Sequence, residues 1–318
     1  MPGYRFRFTL TRFNPAPAPE PNRALNAYKY SFFLVLLGGL ACGFPVISQT
    51  PGPVAGDEPG KSVGNGVFEL GRISGPRLTE CSGVVASRQF PGTFWVHNDG
   101  GGLKRQVLYA ITRTGQTKAE FRLMEVALND WEDIAIDDAK HLFIGDIGNN
   151  DAKRDELAVY QIDEPNPAEA AGILHVTKNW KLRFPAQRFD CEGLFVWKDH
   201  GYVVSKVSKD ARAEIYRFPL SDTPGPHTLE MVARTKIESP VTGADISSDG
   251  KLLALVAKSG AFVFPINGDV SRAHKEKGYQ TKFRHEHIEG CGFVPEGLLC
   301  TAESREIFLF TDPPFRGD

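Results

Sequence analysis

A short unit recurs five times along this chain, and a repeat of that kind restricts the architecture more than composition does. Its openings read Glu80-Cys81-Ser82-Gly83-Val84, Asp130-Trp131-Glu132-Asp133-Ile134, Asp190-Cys191-Glu192-Gly193-Leu194, Pro240-Val241-Thr242-Gly243-Ala244 and His287-Ile288-Glu289-Gly290-Cys291. The third position, Ser82, Glu132, Glu192, Thr242 and Glu289, returns at spacings of 50, 60, 50 and 47 residues. A second apolar run follows each opening, at 93–98, 142–146, 202–206, 252–258 and 298–303. A third has an apolar-aromatic centre: Leu108-Tyr109, Val159-Tyr160, Ile215-Tyr216, Val263-Phe264 and Ile307-Phe308. Runs this short, divided by turn residues, predict strands of antiparallel meanders.

Fourth runs fit at 119–126, 178–184, 229–237 and 279–284, whereas the fifth unit has none. The unclaimed run at 66–71 lies at the other end of the domain and can supply it. This is the arithmetic of an all-β propeller with five four-stranded blades, closed by an N-terminal strand and spanning 65–318. Closure removes the open edges that an unclosed stack leaves for aggregation. Six blades is the alternative, because the 60-residue spacing before Glu192 has room for further strands. A β-sandwich does not account for five aligned third strands.

Residues 1–43 read as an export signal or membrane anchor. Arg5, Arg7, Arg12, Arg23 and Lys29 precede an apolar run at 31–41, which at eleven residues is short for a membrane span of about 20. Cys42 follows Gly39-Leu40-Ala41, a lipoprotein-like cleavage site with Gly39 where Leu is usual. Cleavage without lipidation and an uncleaved anchor are the alternatives. A Pro/Gly-rich linker covers 44–64. The expected location is therefore periplasmic, extracellular or membrane-anchored, with membrane contact through the N-terminus only. A net charge of −2 gives no electrostatic footprint for nucleic acid.

The Glu80-Cys81-Ser82-Gly83-Val84 opening with its His97-Asn98-Asp99-Gly100, the Asp130-Trp131-Glu132-Asp133-Ile134 run and the Asp190-Cys191-Glu192-Gly193-Leu194 run are similar to those of exported bacterial propellers of the SdiA-regulated and phytase-like (esterase-like) types. The resemblance covers roughly residues 66–312. It implies a superfamily containing calcium-dependent hydrolases, lactonases and phytases beside proteins of no known activity; likeness of fold is only an association with function.

In a meander blade the start of the first strand and the end of the second share one face. The repeat thus places Glu80, Asp130, Glu132, Asp190, Glu192, His287 and Glu289 around one mouth, with Asn98, Asp99, Asp146 and Glu303 joining from second strands. So many carboxylates repel unless hydrated, protonated or neutralised, and Ca²⁺ is the natural neutralising cation, held by Glu132, Asp146, Glu192, His287 and Glu289. The alternative is that these acids cap turns. The loop Asp146-Ile147-Gly148-Asn149-Asn150-Asp151 reads as a metal loop or, more simply, an Asx turn. His285, His287 and Glu289, if on one strand, form a donor set suited to Zn²⁺. Lys206, Lys209 and Lys258 fall on the same mouth, where they read as solvated lysines that balance the acids or, beside a bound cation, Lys206 and Lys258 with Asn98 would bind an anionic ligand.

No nucleophile elbow, P-loop or dinucleotide fingerprint is present. Hydrolysis would therefore use metal-activated water, with Glu132 or Glu192 as base. Cys291 and Cys300 flank the turn at Pro295-Glu296, which puts them opposite one another and predicts a disulfide. Cys81 and Cys191 read as small buried apolar residues. Three functions are consistent with these residues: a module binding a small molecule or protein at an acidic mouth, a Ca²⁺-dependent hydrolase of phosphoesters or lactones, or a scaffold.

Overall fold

The structure, a computed structural model, describes residues 60–207 and 212–316. Five antiparallel meanders follow one another in the chain, and each innermost strand packs against the next, the fifth against the first. Blade one comprises Cys81–Ala86, Phe94–Asn98, Val107–Ile111 and Thr117–Leu123, and blade two Trp131–Ile136, His141–Asp146, Glu156–Asp163 and Lys178–Arg183. Blade three is Cys191–Trp197, His200–Ser205, Glu214–Pro219 and Glu230–Arg234. Blade four is Val241–Ile246, Leu252–Ala257, Gly260–Pro265 and Tyr279–Lys282. Blade five takes Ile288–Val294, Gly297–Ala302 and Glu306–Phe310 from the C-terminal end and Val67–Arg72 from the N-terminal end.

The repeat explains the burial. Innermost strands such as Trp131–Ile136 are buried throughout, because both faces meet a neighbouring blade. Outermost strands alternate: in Lys178–Arg183 only Trp180 and Leu182 point inward. Apolar side chains gather in five clusters, one at each blade–blade interface, including that between blades five and one. The fold therefore has five blades. The long spacing before Glu192 holds a short 3₁₀ turn and the strand Ala171–Leu174, which pairs in parallel with the edge of blade one. In the same way His227–Thr228 pairs with the edge of blade two.

Two sequence expectations are corrected here. Lys61–Gly64, assigned above to the linker, is the outermost strand of blade five, paired with Val67–Arg72. Its Gly and Ser content hid a hairpin turning at Asn65-Gly66. Cys291 and Cys300 do pair in register across adjacent strands, but they are free thiols in this structure. Both pack into the apolar core between blades four and five, where burial pushes their pKa values well up and disfavours the thiolate needed for exchange. Cys81 and Cys191 are likewise buried. Cys42, with the rest of residues 1–59, and Lys209 lie outside the described residues.

Candidate functional site

Every innermost strand breaks its pairing register at the same place. The breaks fall between Cys81 and Val84, Trp131 and Asp133, Cys191 and Gly193, Val241 and Gly243, and Ile288 and Cys291. Each is a β-bulge, whose extra residue makes no ladder pair and re-aims its side chain. In blades two, three and four that residue is the third position of the repeat, and in blades one and five the break spans the third and fourth, so Ser82, Glu132, Glu192, Thr242 and Glu289 all lie in the breaks. All five are buried. Ser82 donates to Glu132 O at 2.6 Å and Thr242 to Ile288 O at 3.0 Å, so the two hydroxyl members stitch neighbouring blades. The three glutamates form an acidic arc.

A second ring surrounds the first. The residue after the second strand donates its backbone N–H to the carbonyl of the first repeat position: Asp99 to Glu80, Lys206 to Asp190, Lys258 to Pro240 and Glu303 to His287, at 2.8–3.0 Å. Two of these places hold acids and two hold lysines. Lys206 pairs with Glu192 and lies 3.9 Å from Asp190, and Lys258 pairs with Glu289. Among the described residues Glu132 forms no ion pair with a lysine or arginine, although Lys206 feels its charge. In blade two the corresponding place is taken by a loop whose Gly148 N donates to Asp130 O at 3.2 Å. A Cβ on Gly148 would overlap Glu132 Oε1 and Asp130 Oδ2, so the absence of a side chain there keeps room for both carboxylates.

Asp99, Asp130 and Glu132 bring one ligand oxygen each to within 4.8 Å of one another. With Ser82, Asn150, Glu192, Lys206, Glu289 and Glu303, Asp99 and Glu132 line a cavity of about 80 Å³. This is room for a cation with its bound waters. Burial pushes Glu132 up to about 11, reinforced by the charges of Glu192, Asp99, Asp130 and Asp190. Burial raises Glu192 to about 8 and Glu289 to about 7, against the pull of Lys206 and Lys258. Asp99 rises to about 6 through burial and the charges of Asp130 and Glu303, and Asp130 and Asp190 are raised mainly by burial. Asp99 Oδ1 and Asp190 Oδ2 are buried without a hydrogen-bond partner.

Three residues expected in the mouth are engaged elsewhere. Asn98 Oδ1 accepts from Thr79 N (2.8 Å) and Glu80 N (3.0 Å), and its amide donates to Arg77 O (2.9 Å). Asp146, at the matching place in blade two, accepts from Asn129 N (3.1 Å) and Asp130 N (2.8 Å) and is paired with Arg154 at 3.0 Å. Both side chains cap the backbone entering the first strand of their own blade. His287 precedes the strand that begins at Ile288, so it does not share a strand face with Glu289. It is exposed and pairs with Glu303 at 3.3 Å, while His285 stacks against Phe283 at a centroid distance of 5.9 Å. The loop after Asp146 is a turn: Asn149 Oδ1 accepts from Arg154 N, and Asn149 N donates to Asp190. Asp99 and Glu303, by contrast, do line the cavity, and Asp130 stands with Asp99 and Glu132 in the acidic trio. Aligning the residues that follow the second strands is the signal that picks out Asp99 and Glu303.

Larger depressions of about 570 and 510 Å³ lie along the outer strands of blade two, near Trp180, Arg183 and Arg188, and touch none of the mouth acids. No family model matches the chain, and no curated protein matches it. Among solved structures it is similar to a chain of a nidogen/laminin complex at 12% identity and a TM-score of 0.41, covering 70% of this chain and 72% of that one. It is also similar to a chain of Kuenenia stuttgartiensis hydrazine synthase at 11% identity and a TM-score of 0.38, covering 72% of each. At such values the propeller assignment rests on this chain's own strand order and five closed interfaces.

Proposed function

We propose that this protein is a binding propeller whose mouth takes a hard divalent cation, Ca²⁺ foremost, and presents it to a ligand at the channel entrance. One observation carries the reading. Glu132 is only 5% exposed, forms no ion pair among the described residues beyond feeling the charge of Lys206 across the cavity, and shares its surroundings with Asp99 and Asp130 at ligand-set distances. Burying a carboxylate among carboxylates is costly unless a proton or a metal ion neutralises it. Oxygen-only donors favour Ca²⁺ or Mg²⁺ over softer metals. The ligand set supported by geometry is Asp99, Asp130 and Glu132, with Glu192 and Glu289 becoming available if their lysines turn outward. Lys206 and Lys258 would then face an anionic ligand. Export and tethering through the N-terminus, with Cys42 as the candidate lipid attachment point, belong to the same proposal. Among the described residues no helix is long and apolar enough to cross a membrane.

A second reading is metal-dependent hydrolysis of phosphoesters or lactones at the same mouth, with Glu192, which lines the cavity outside the Asp99, Asp130 and Glu132 set, as the base on a cation-bound water. In that case the substrate sits above the small cavity and only its reacting oxygen enters. The deciding experiment is a thermal melt of the full chain with EDTA, Ca²⁺, Mg²⁺ or Zn²⁺. A cation bound only by the folded state stabilises it by about 2.7 kcal/mol at a hundredfold excess over Kd. A saturable rise with Ca²⁺ is expected, and a hydrolase screen follows from it. No shift with any cation overturns both readings.

A further inference from the structure

The fourth position of the repeat is Gly83, Gly193, Gly243 and Gly290 in four blades but Asp133 in blade two. This position faces the centre of the ring, where strands crowd: a Cβ on Gly243 would stand 2.5 Å from Glu289 O, and one on Gly83 2.7 Å from Asp133 Oδ1. Asp133 is fully buried, which with the nearby Asp245 pushes its pKa well up, against three backbone amides that favour its charged form. Its Oδ1 accepts from Ile134 N at 2.9 Å, and its Oδ2 from Leu194 N of blade three at 2.8 Å and Ala244 N of blade four at 3.2 Å. The three donors are equivalent by the repeat. Each amide lies two residues beyond a bulge residue, namely Glu132, Glu192 and Thr242. No lysine or arginine is among the partners the structure gives this carboxylate. In blade one the centre is closed differently: Gly83 N donates to Nε2 of His97 at 3.2 Å, a ring kept neutral because burial pushes its pKa down to about 3.

Backbone N–H groups that converge on one point form an anion-binding concavity. We infer that the centre of this propeller is such an anion hole, built from the amides of blades two, three and four and filled by the Asp133 carboxylate. Asp133 is thereby the positioning residue for the bulges that aim Glu132 and Glu192 into the mouth. The hole stands on geometry alone, whereas the positioning role rests on the cation reading above. Removing the carboxylate leaves three amides pointing at one another's partial positive charge, with nothing to hold the three strands at their present separation.

The test uses the full chain and formate, the smallest carboxylate, as probe. D133G restores the glycine of the other four blades and vacates the hole. Expected is a D133G protein that melts below wild type and regains Tm saturably with sodium formate. Wild type and D133N, whose holes are filled, should show only the unsaturating response to salt. Ca²⁺ titrations followed by the same melts should give about tenfold weaker binding in D133G, the size of one lost charge-assisted hydrogen bond, and recovery with formate. An equal formate response in all three proteins, or none in D133G, overturns the anion hole. Formate-restored Tm with unchanged Ca²⁺ affinity in D133G without formate overturns the positioning role alone. If D133G folds only when refolded with formate, the hole is supported. If it folds in neither condition, D133N decides: lower Tm with about tenfold weaker Ca²⁺ binding supports the inference, and wild-type values of both overturn it. A wild type that responds to no cation removes the cation reading and leaves the formate comparison to judge the hole.

Discussion

Glu132 and Gly148 make opposite demands on the same few ångströms of the mouth. The carboxylate wants a proton or a cation, and the glycine supplies the space. Replacing Glu132 by Gln keeps the volume and removes the need for either. E132Q is therefore expected to melt at or above the wild-type temperature in EDTA and to lose the Ca²⁺-dependent rise; retention of the full rise would place the ion elsewhere. A methyl group at Gly148 would overlap both Glu132 and Asp130. G148A should lose the Ca²⁺ response and cost about 1–3 kcal/mol by overpacking, measured by urea unfolding in EDTA. The importance of position 132 was legible in the sequence, because the repeat aligned it with Glu192 and Glu289. Its lack of an ion pair among the described residues was not. Lys206 and Lys258 reach Glu192 and Glu289 from the second ring, and only the loop insertion in blade two deprives Glu132 of such a partner.

The bulge is what turns a strand into a site. Strand alternation alone predicts that positions one and three of the repeat face one way; the extra residue in each innermost strand instead throws the third side chain into the channel. A sequence shows the motif but not the bulge, which depends on how the second strand registers against it. The same ignorance of register explains Asn98 and Asp146. Both are polar residues at strand ends near a mouth, and both spend their oxygens on two successive backbone amides of their own blade. N98A should accordingly lower stability by about 1–3 kcal/mol in urea unfolding, since Thr79 N and Glu80 N lose their acceptor, with no change in Ca²⁺ affinity. The cysteine strands carry a simpler expectation. Alkylation of denatured, unreduced protein should modify both Cys291 and Cys300, and protection of the pair would reveal a bridge that this structure lacks.

For the whole molecule, the acids of the mouth set the pH response. Glu192, Glu289 and Asp99 have folded pKa values of about 8, 7 and 6, above the ordinary carboxylate range. The folded state thus holds protons that the unfolded chain has released. Their contribution to stability is full below about pH 4, declines as pH rises through these folded values, and is gone above about pH 8. A Tm falling between pH 5 and 8 in EDTA, and flattened by saturating Ca²⁺, is the expected profile; a Tm rising across that window in EDTA would contradict it. The blade count was legible because five openings and five third strands align, and closure followed from a missing fourth strand in the last unit. What the sequence left open was the 60-residue spacing, because an edge strand lent to a neighbouring blade has no periodic mark of its own.

Ring closure also dictates an order of events. The strand Val67–Arg72 completes its sheet only against Glu306–Phe310. During synthesis nearly the whole domain must emerge before those two segments can meet, so the last interface between blades waits for the end of translation. Pairing between such distant segments is slow. The nascent chain consequently spends its production as an unlocked series of meanders, with two unfinished edges that a chaperone would need to shield.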